Sequence, residues 1–462
     1  MGIVSVGGDE TIPATARIVY VAAAPRERIE VVSASETTST AGGELAPNYF
    51  MHVFPNGLRM VGQRMPSLAS VTFGVQLDAG IRDEPEDRLG LTYLLSEMMF
   101  QGTEHRTVRE LTEAFEALGA RKGGETGIEF ARYSAQVVGG RFDTALDLMA
   151  DVLLFPTFPA DELDQMRAVQ LQEIRRRDDE PMRRIFDLAR ERFYVGSPLG
   201  RRALGSQQSV EAITRDDLRA FWQTRYHPQG TLFSIAGDFD WDAAVARVSE
   251  SLGSWSGAAP ASATAQPHPT SSVFVEPQEG NQQHIAMVFP FPAYGDPDYY
   301  AASVVTEIFG GGMTSRLFRE VREKRGLVYS VAAMFSPNGV SGAGFLYAGT
   351  TPEKAPDTVR VMLDELRLLR EKGVTDDELD RARVQLKSEL VMRGESSAAR
   401  MGALLRSWWF EGRLTTIQEL KEAIDSVSRE QIMRLLERFP LTDPLVQVAI
   451  GPRTAEELFP GA

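Results

Sequence analysis

The chain has no cysteine in 462 residues. That excludes disulfides, thiolate nucleophiles and cysteine-ligated zinc. Histidine is nearly as scarce. The five are His52, His105, His227, His268 and His284. No two are spaced to point a pair of imidazoles from one helix turn at one ion, as a helical zinc hydrolase requires. Each reads as a surface or hydrogen-bonded side chain. There is no G-x-S-x-G elbow for a serine nucleophile and no phosphate-binding G-x-x-x-x-G-K-[ST] loop. No apolar run is long enough to span a bilayer, and the first 25 residues lack the basic start and apolar block of a secretory signal. Basic residues are also in deficit, 49 against 64 acidic, for a net charge of −15. The deficit argues against nucleic-acid binding and fits plain solubility, with some attraction for basic peptides. These absences lead us to expect a cytoplasmic protein with neither membrane nor nucleic-acid partners.

What is present is a soluble globular balance, 43% hydrophobic and 24% charged, over a length suited to two to four domains. Residues 1–46, rich in Gly, Ala, Ser and Thr, read as a loosely attached N-terminal extension. Strand-like runs flank Pro55-Asn56-Gly57, a hairpin signal, and "LASVTFGVQLDAG" (68–80) alternates like a strand. Helical spacing follows over 88–101, 107–120 and 141–154, and over a long charged stretch, 159–194, interrupted near Pro181. A strand over 230–240 precedes a helix over 241–255. "SGAAPASATAQPHPTSS" (256–272) is the clearest linker.

The linker separates a domain over 47–255 from one over 273–462, and the two look alike. A strand, a loop and a helix containing Leu94-Leu95-Ser96-Glu97-Met98 recur as a strand, a loop and a helix containing Val304-Val305-Thr306-Glu307-Ile308. The expected fold is α+β, with two homologous halves, each a mixed or antiparallel sheet packed with helices.

Two stretches carry candidate chemistry. "GDFDWD" (237–242) resembles a carboxylate cluster for a cation, but Asp240 stands where a helix cap belongs. "FGGGMTSRLFREVREKRGLVYSV" (309–331) is more distinctive. Gly310, Gly311 and Gly312 allow a sharp bend and the close approach of another chain. A helix-like segment over 315–326 then leads into a strand over 327–335. Arg322, toward the end of the first, and Tyr329, in the second, sit seven apart. One reading makes Arg322 a solvated member of a basic run and Tyr329 a half-buried strand residue. The other has a guanidinium and a phenol converge on a peptide carbonyl oxygen and stabilise the oxyanion formed there.

Several blocks in order, among them "PNGLRMVGQRMP", "GLTYLLSEMMFQGT", "FEALGARKGGET", "SIAGDFD" and "GGGMTSRLFREVREKRGLVYSV", resemble the pitrilysin/insulinase family of inverted-motif zinc peptidases, in its processing-peptidase-like branch. The resemblance runs from about residue 49 to the end. Active members carry G-x-x-H-x-x-E-H-M-x-F-x-G-T, in which the histidines bind zinc and the glutamate activates water; a distal glutamate completes the site. In this sequence the first histidine position is Tyr93, the base is Ser96, the second histidine position is Glu97, and the distal ligand is Glu173. Only Glu173 survives. A phenol holds its proton to about pH 10 and is a poor zinc ligand at neutrality. A serine cannot take a proton from water as a carboxylate can. Two carboxylates are a weak basis for another cation. Gly123-Gly124 also stands where the family has Asn-Ala in its substrate-edge strand.

The second-half motif R-x-x-x-x-L-x-Y is intact at Arg322 and Tyr329, with the glycines before it. The resemblance therefore implies a chain with no metal or cofactor of its own. It would be the non-catalytic, substrate-binding subunit of a heteromeric peptidase acting on peptides or small unfolded proteins. Its partner would be a homologous subunit that bears the zinc motif, and Arg322 and Tyr329 would reach into that partner's site. A structural or interaction subunit, like the peptidase-derived core proteins of respiratory complexes, is the alternative. A stand-alone enzyme with a rebuilt metal site is a third.

Overall fold

The computed structural model describes residues 43–262 and 267–460. The first half contributes β1 (Gly43–Ala46), β2 (Tyr49–Val53), β3 (Arg59–Arg64) and β4 (Ser70–Leu77). Helices α1 (Leu91–Met98) and α2 (Val108–Ala117) follow, then β5 (Arg121–Thr126) and β6 (Ala131–Val138). Next come α3 (Phe142–Leu154), α4 (Ala160–Asp178), α5 (Pro181–Phe193), α6 (Gln207–Ala212) and α7 (Arg215–Arg225). The half closes with β7 (Leu232–Gly237) and α8 (Trp241–Leu252).

The second half runs through β8 (Ser272–Pro277), β9 (Gln283–Phe291), α9 (Tyr299–Gly310), β10 (Val328–Pro337) and β11 (Gly342–Thr350). Helices α10 (Ala355–Lys372), α11 (Asp376–Gly394), α12 (Ser397–Glu411), α13 (Ile417–Ser426) and α14 (Arg429–Arg438) precede β12 (Val446–Gly451) and α15 (Ala455–Leu458).

Local chemistry sets the boundaries. β6 buries alternate residues, as a strand with one covered face must. β4 is central and buried along nearly its whole length, with Val71, Phe73, Val75 and Leu77 in the core. Thr107 and Glu110 form a reciprocal cap at α2. Pro181 opens α5, where its missing N–H costs no helical bond, so the charged stretch is two helices rather than one. Asp240 Oδ1 accepts the Ala243 amide at 2.9 Å, so the Asp-rich turn caps α8.

The first sheet has the order β1-β2-β3-β7-β4-β6-β5, the second β10-β11-β9-β12-β8. β3 is parallel to β7, and β8 is parallel to β12; all other pairs are antiparallel. Apart from the added β1–β2 hairpin, the second sheet repeats the first strand for strand. The fold is thus α+β with two homologous halves.

Two boundaries differ from expectation. The sheet begins at Gly43, inside the segment read as an extension, because 43–46 pairs with β2; residues 1–42 lie outside the described residues. The linker is held at both ends. Ala258 bridges to Gln229, Arg225 donates to the Pro260 carbonyl at 2.8 Å, and Ser272 already belongs to β8. Residues 263–266 lie outside the described residues.

The halves exchange helices. Ile185, Leu188, Ala189 and Phe193 of α5 pack on the second sheet, against Val288, Phe345 and Val448. Met401, Leu404 and Leu405 of α12 pack on the first sheet, against Val61, Leu232 and Ala236. Each isoleucine, leucine, phenylalanine or methionine among them contributes roughly 1.5–3 kcal/mol by burial. Gly74 in β4 makes room: a Cβ there would lie 2.9 Å from the Met401 sulfur.

Candidate functional site

Helix α1 carries the three altered positions, Tyr93, Ser96 and Glu97. Leu91, Leu94, Leu95 and Met98 face the core and are essentially inaccessible. Glu84, buried beneath the helix start, accepts the Gly90 amide at 2.9 Å and the Thr92 amide at 2.7 Å. Gly90 has φ +92°, and a Cβ there would strike the Leu204 carbonyl oxygen at 2.6 Å, so only glycine serves. The helix is therefore held in place by its packing face and by Glu84 at its start.

Its outward side has no metal-ligand set. Ser96 is buried and spends its hydroxyl on the Tyr93 carbonyl, 2.8 Å away. Burial, followed by the charges of Glu97 and Glu173, pushes the Tyr93 phenol above its ordinary range. The phenolate that could bind a cation is thereby disfavoured further. Glu173 on α4 pairs with Arg176 at 2.7 Å. Desolvation by the surrounding wall raises the Glu97 carboxyl, and the Lys122 ammonium opposes that shift. Lys122 sits over the Phe100 ring at 4.1 Å. Glu97 and Glu173 thus both lie within electrostatic reach of Tyr93. Positive side chains, however, stand beside both carboxylates. Lys122 and Arg176 were not legible as neighbours from sequence.

Edge strand β5 carries Gly123 and Gly124. Gly124 abuts α1, where a Cβ would sit 3.2 Å from the Ser96 carbonyl oxygen, whereas nothing lies within 4 Å of the same point on Gly123.

The second-half motif is shaped by two departures from regular structure. Over Phe318–Glu323 the helix widens to a π turn, with the Lys324 amide bonded to the Arg319 carbonyl at 2.9 Å. Such turns are rare and recur at functional sites. Leu317 and Val321 remain in the core while Arg322 is exposed. In the ladder of β10 with β11, Val328 faces Thr350 and Ser330 faces Gly349, so Tyr329 is the extra residue of a β-bulge. A bulge re-aims its side chain, and Tyr329 is 63% exposed. The Arg322 guanidinium lies over the Phe318 ring at 5.1 Å. Among the described residues, neither Arg322 nor Tyr329 has a side-chain hydrogen bond or ion pair. They do not grip each other; both are open to an outside acceptor.

The glycines serve differently from expectation. Gly310 ends α9, and its missing Cβ admits the Ala333 amide of β10, which would lie 2.2 Å away. The chain approaching there is its own strand. Gly311 and Gly312 are exposed beside the Glu307 carboxylate.

Known families and proteins match most of the chain. Residues 59–207 match the insulinase (peptidase family M16) model, and residues 212–386 match the model described as the M16 inactive domain. An uncharacterized zinc protease of Mycobacterium tuberculosis is 33% identical over 411 residues, covering 88% of this chain and 94% of its own length. The chain belongs to the M16 insulinase family. Uncharacterized zinc proteases of Streptomyces coelicolor (32% over 387 residues, 82% of this chain and 84% of that protein) and Bacillus subtilis (28% over 397 residues, 86% and 97%) are further relatives. Two solved structures share the fold. A peptidase M16 inactive domain from Pseudomonas fluorescens has a TM-score of 0.81 at 24% identity, covering 88% of this chain and 98% of its own. A protease from Helicobacter pylori has a TM-score of 0.81 at 18% identity, covering 88% and 100%.

The M16 family implies zinc, and the residues of this M16 chain do not fit it. The surviving glutamate is paired with arginine, the serine is bonded to its own helix, and the tyrosine is held protonated. Among the described residues no group of three His, Cys, Asp or Glu is placed to hold a metal ion. Nor is any described helix long and apolar enough to cross a membrane.

Proposed function

We propose that the chain is the substrate-binding, non-catalytic subunit of a two-chain M16 peptidase that cleaves peptides or small unfolded proteins. One contrast carries the reading. The positions that would bind metal hold a tyrosine, a glutamate and a glutamate already paired with Arg176, whereas Arg322 and Tyr329 stand exposed on a π turn and a bulge with no side-chain hydrogen bond or ion pair among the described residues. The names of the relatives, zinc proteases, support the reaction class.

In this reading the Arg322 guanidinium and the Tyr329 hydroxyl donate to the carbonyl oxygen beside the scissile bond. Fixed donors of this kind stabilise the negative charge that develops as the carbonyl becomes tetrahedral. The homologous partner, carrying the H-x-x-E-H motif, supplies the metal and the base. Nothing requires both walls of the site to come from one chain, provided the interface brings them within hydrogen-bonding distance.

The test is co-expression with a zinc-motif homologue and assay of peptide cleavage by the assembled pair. Arg322→Ala and Tyr329→Phe should each lower kcat on the order of 10²–10³-fold while leaving assembly intact. Unchanged cleavage with either variant would remove the role assigned here. Stable assembly with no cleavage by the wild-type pair would favour a structural subunit instead.

A further inference from the structure

A cavity of about 260 Å³ lies where the two halves meet, away from α1 and from the Arg322 turn. Three arginines line it. Arg132 comes from β6, Arg190 from α5 and Arg406 from α12. Arg190 and Arg406 are duplicates: each stands nine residues after the first residue of its helix, and each is followed four residues on by an aromatic of the cavity wall, Tyr194 or Phe410.

The acidic residues nearby are already engaged. Glu129 takes the Arg82 guanidinium at 2.7 Å and the Gly339 amide at 2.9 Å. Glu125 pairs with Arg132 at 3.0 Å. Among the described residues, Arg190 and Arg406 have no carboxylate and no side-chain hydrogen-bond partner. Arg132 and Arg406 also repel: burial, then the Glu125 charge acting the other way, then Arg406 set the Arg132 guanidinium below its ordinary range. An anion in the cavity relieves that repulsion and gives the guanidinia acceptors. Four aromatic side chains, Phe130, Tyr194, Tyr294 and Phe410, also line it. Phe130 lies under Arg132 at 4.9 Å, and Phe410 stacks on Tyr294 at 4.1 Å.

We propose that this cavity is a binding site for a carboxylate carried on an apolar group, gripped by Arg190 and Arg406 and flanked by Phe130, Tyr294 and Phe410. A planar guanidinium matches a carboxylate in bidentate fashion, and the aromatic wall buries what the carboxylate is attached to. The volume suits one end of a peptide or a single small acid rather than a long ligand. The peptide C-terminus and the free acid share this chemistry.

Calorimetric titration of the full chain with N-acetyl-phenylalanine, its amide and inorganic phosphate tests the assignment. The acid should bind at a single site. The amide should not bind, and phosphate should bind on the order of tenfold more weakly or worse. R190Q/R406Q should lose affinity for the acid on the order of tenfold or more, with folding checked by circular dichroism. Should the double variant unfold, R406Q alone carries the test, since that side chain is exposed. Peptides ending in a free or an amidated phenylalanine separate the sources: free-ended peptide binding assigns the site to peptide C-termini, and binding of N-acetyl-phenylalanine alone assigns it to a free acid. No binding of the acid, equal binding of the amide or phosphate, or undiminished binding by the arginine variants overturns the proposal.

Discussion

Arg184 and Arg400 hold the same place on the two exchanged helices, and each reaches the fifth residue of an equivalent strand in the opposite half. Arg184 meets Glu276 of β8 at 3.0 Å; Arg400 meets Gln63 of β3 at 2.6 Å. Arg400 also donates to the Tyr49 hydroxyl at 2.6 Å and is almost fully buried. The two contacts are equivalent in geometry but not in burial.

That difference sets their energetic order. Arg400→Ala strands a buried phenol and an amide oxygen, at a cost of about 2–4 kcal/mol. Arg184→Ala breaks a part-exposed pair and should cost about 1 kcal/mol or less after solvent screening. Denaturant unfolding of the two variants checks the ranking; equal losses would mean that the exchange is not anchored at Arg400.

The degenerate zinc positions allow a second expectation. Tyr93→His/Ser96→Glu/Glu97→His restores the motif but leaves Lys122 and Arg176 beside the site. Adding Lys122→Asn and Arg176→Ala should raise zinc affinity on the order of 10–100-fold, the scale of outer-shell effects. Metal content after equilibrium dialysis reads this, and no gain would show that neighbouring charge is not what closes the site.

Glu84 makes stability depend on pH. Burial raises its carboxyl from 4.5 to about 7, against the pull of the Thr92 and Gly90 donors. The folded chain therefore binds more protons than the unfolded one between these values. The stability linked to Glu84 is complete below about pH 4.5 and falls as pH rises through about 7, by ~3 kcal/mol at most. In Glu84→Gln that dependence is absent. The difference in unfolding free energy between wild type and variant should thus shrink between about pH 5 and about pH 8; a flat difference would contradict the shift.

Much of the framework was legible because it rests on local rules. The Asp240 cap, the break at Pro181 and the core face of α1 each depend on a few adjacent residues. The duplication was visible in a pentapeptide. A second trace of it is R-x-x-x-L-x-R-x-x-x-[YF] at Arg184–Tyr194 and Arg400–Phe410. It carries both the exchange of helices and the two cavity arginines. Lys122 and Arg176 gained meaning only once α1, β5 and α4 were packed together. The bulge at Tyr329 is a property of register between two strands, and the π turn at Arg322 is a property of hydrogen-bond spacing. Neither is written in residue types, although both decide how the two side chains are presented.

The exchange of α5 and α12 bears on how such a chain arose. Neither half can cover its own sheet, so a solitary half would leave an apolar face bare to water. Two copies of one half, trading helices around a twofold axis, would leave none. The present chain has the form of such a pair joined end to start.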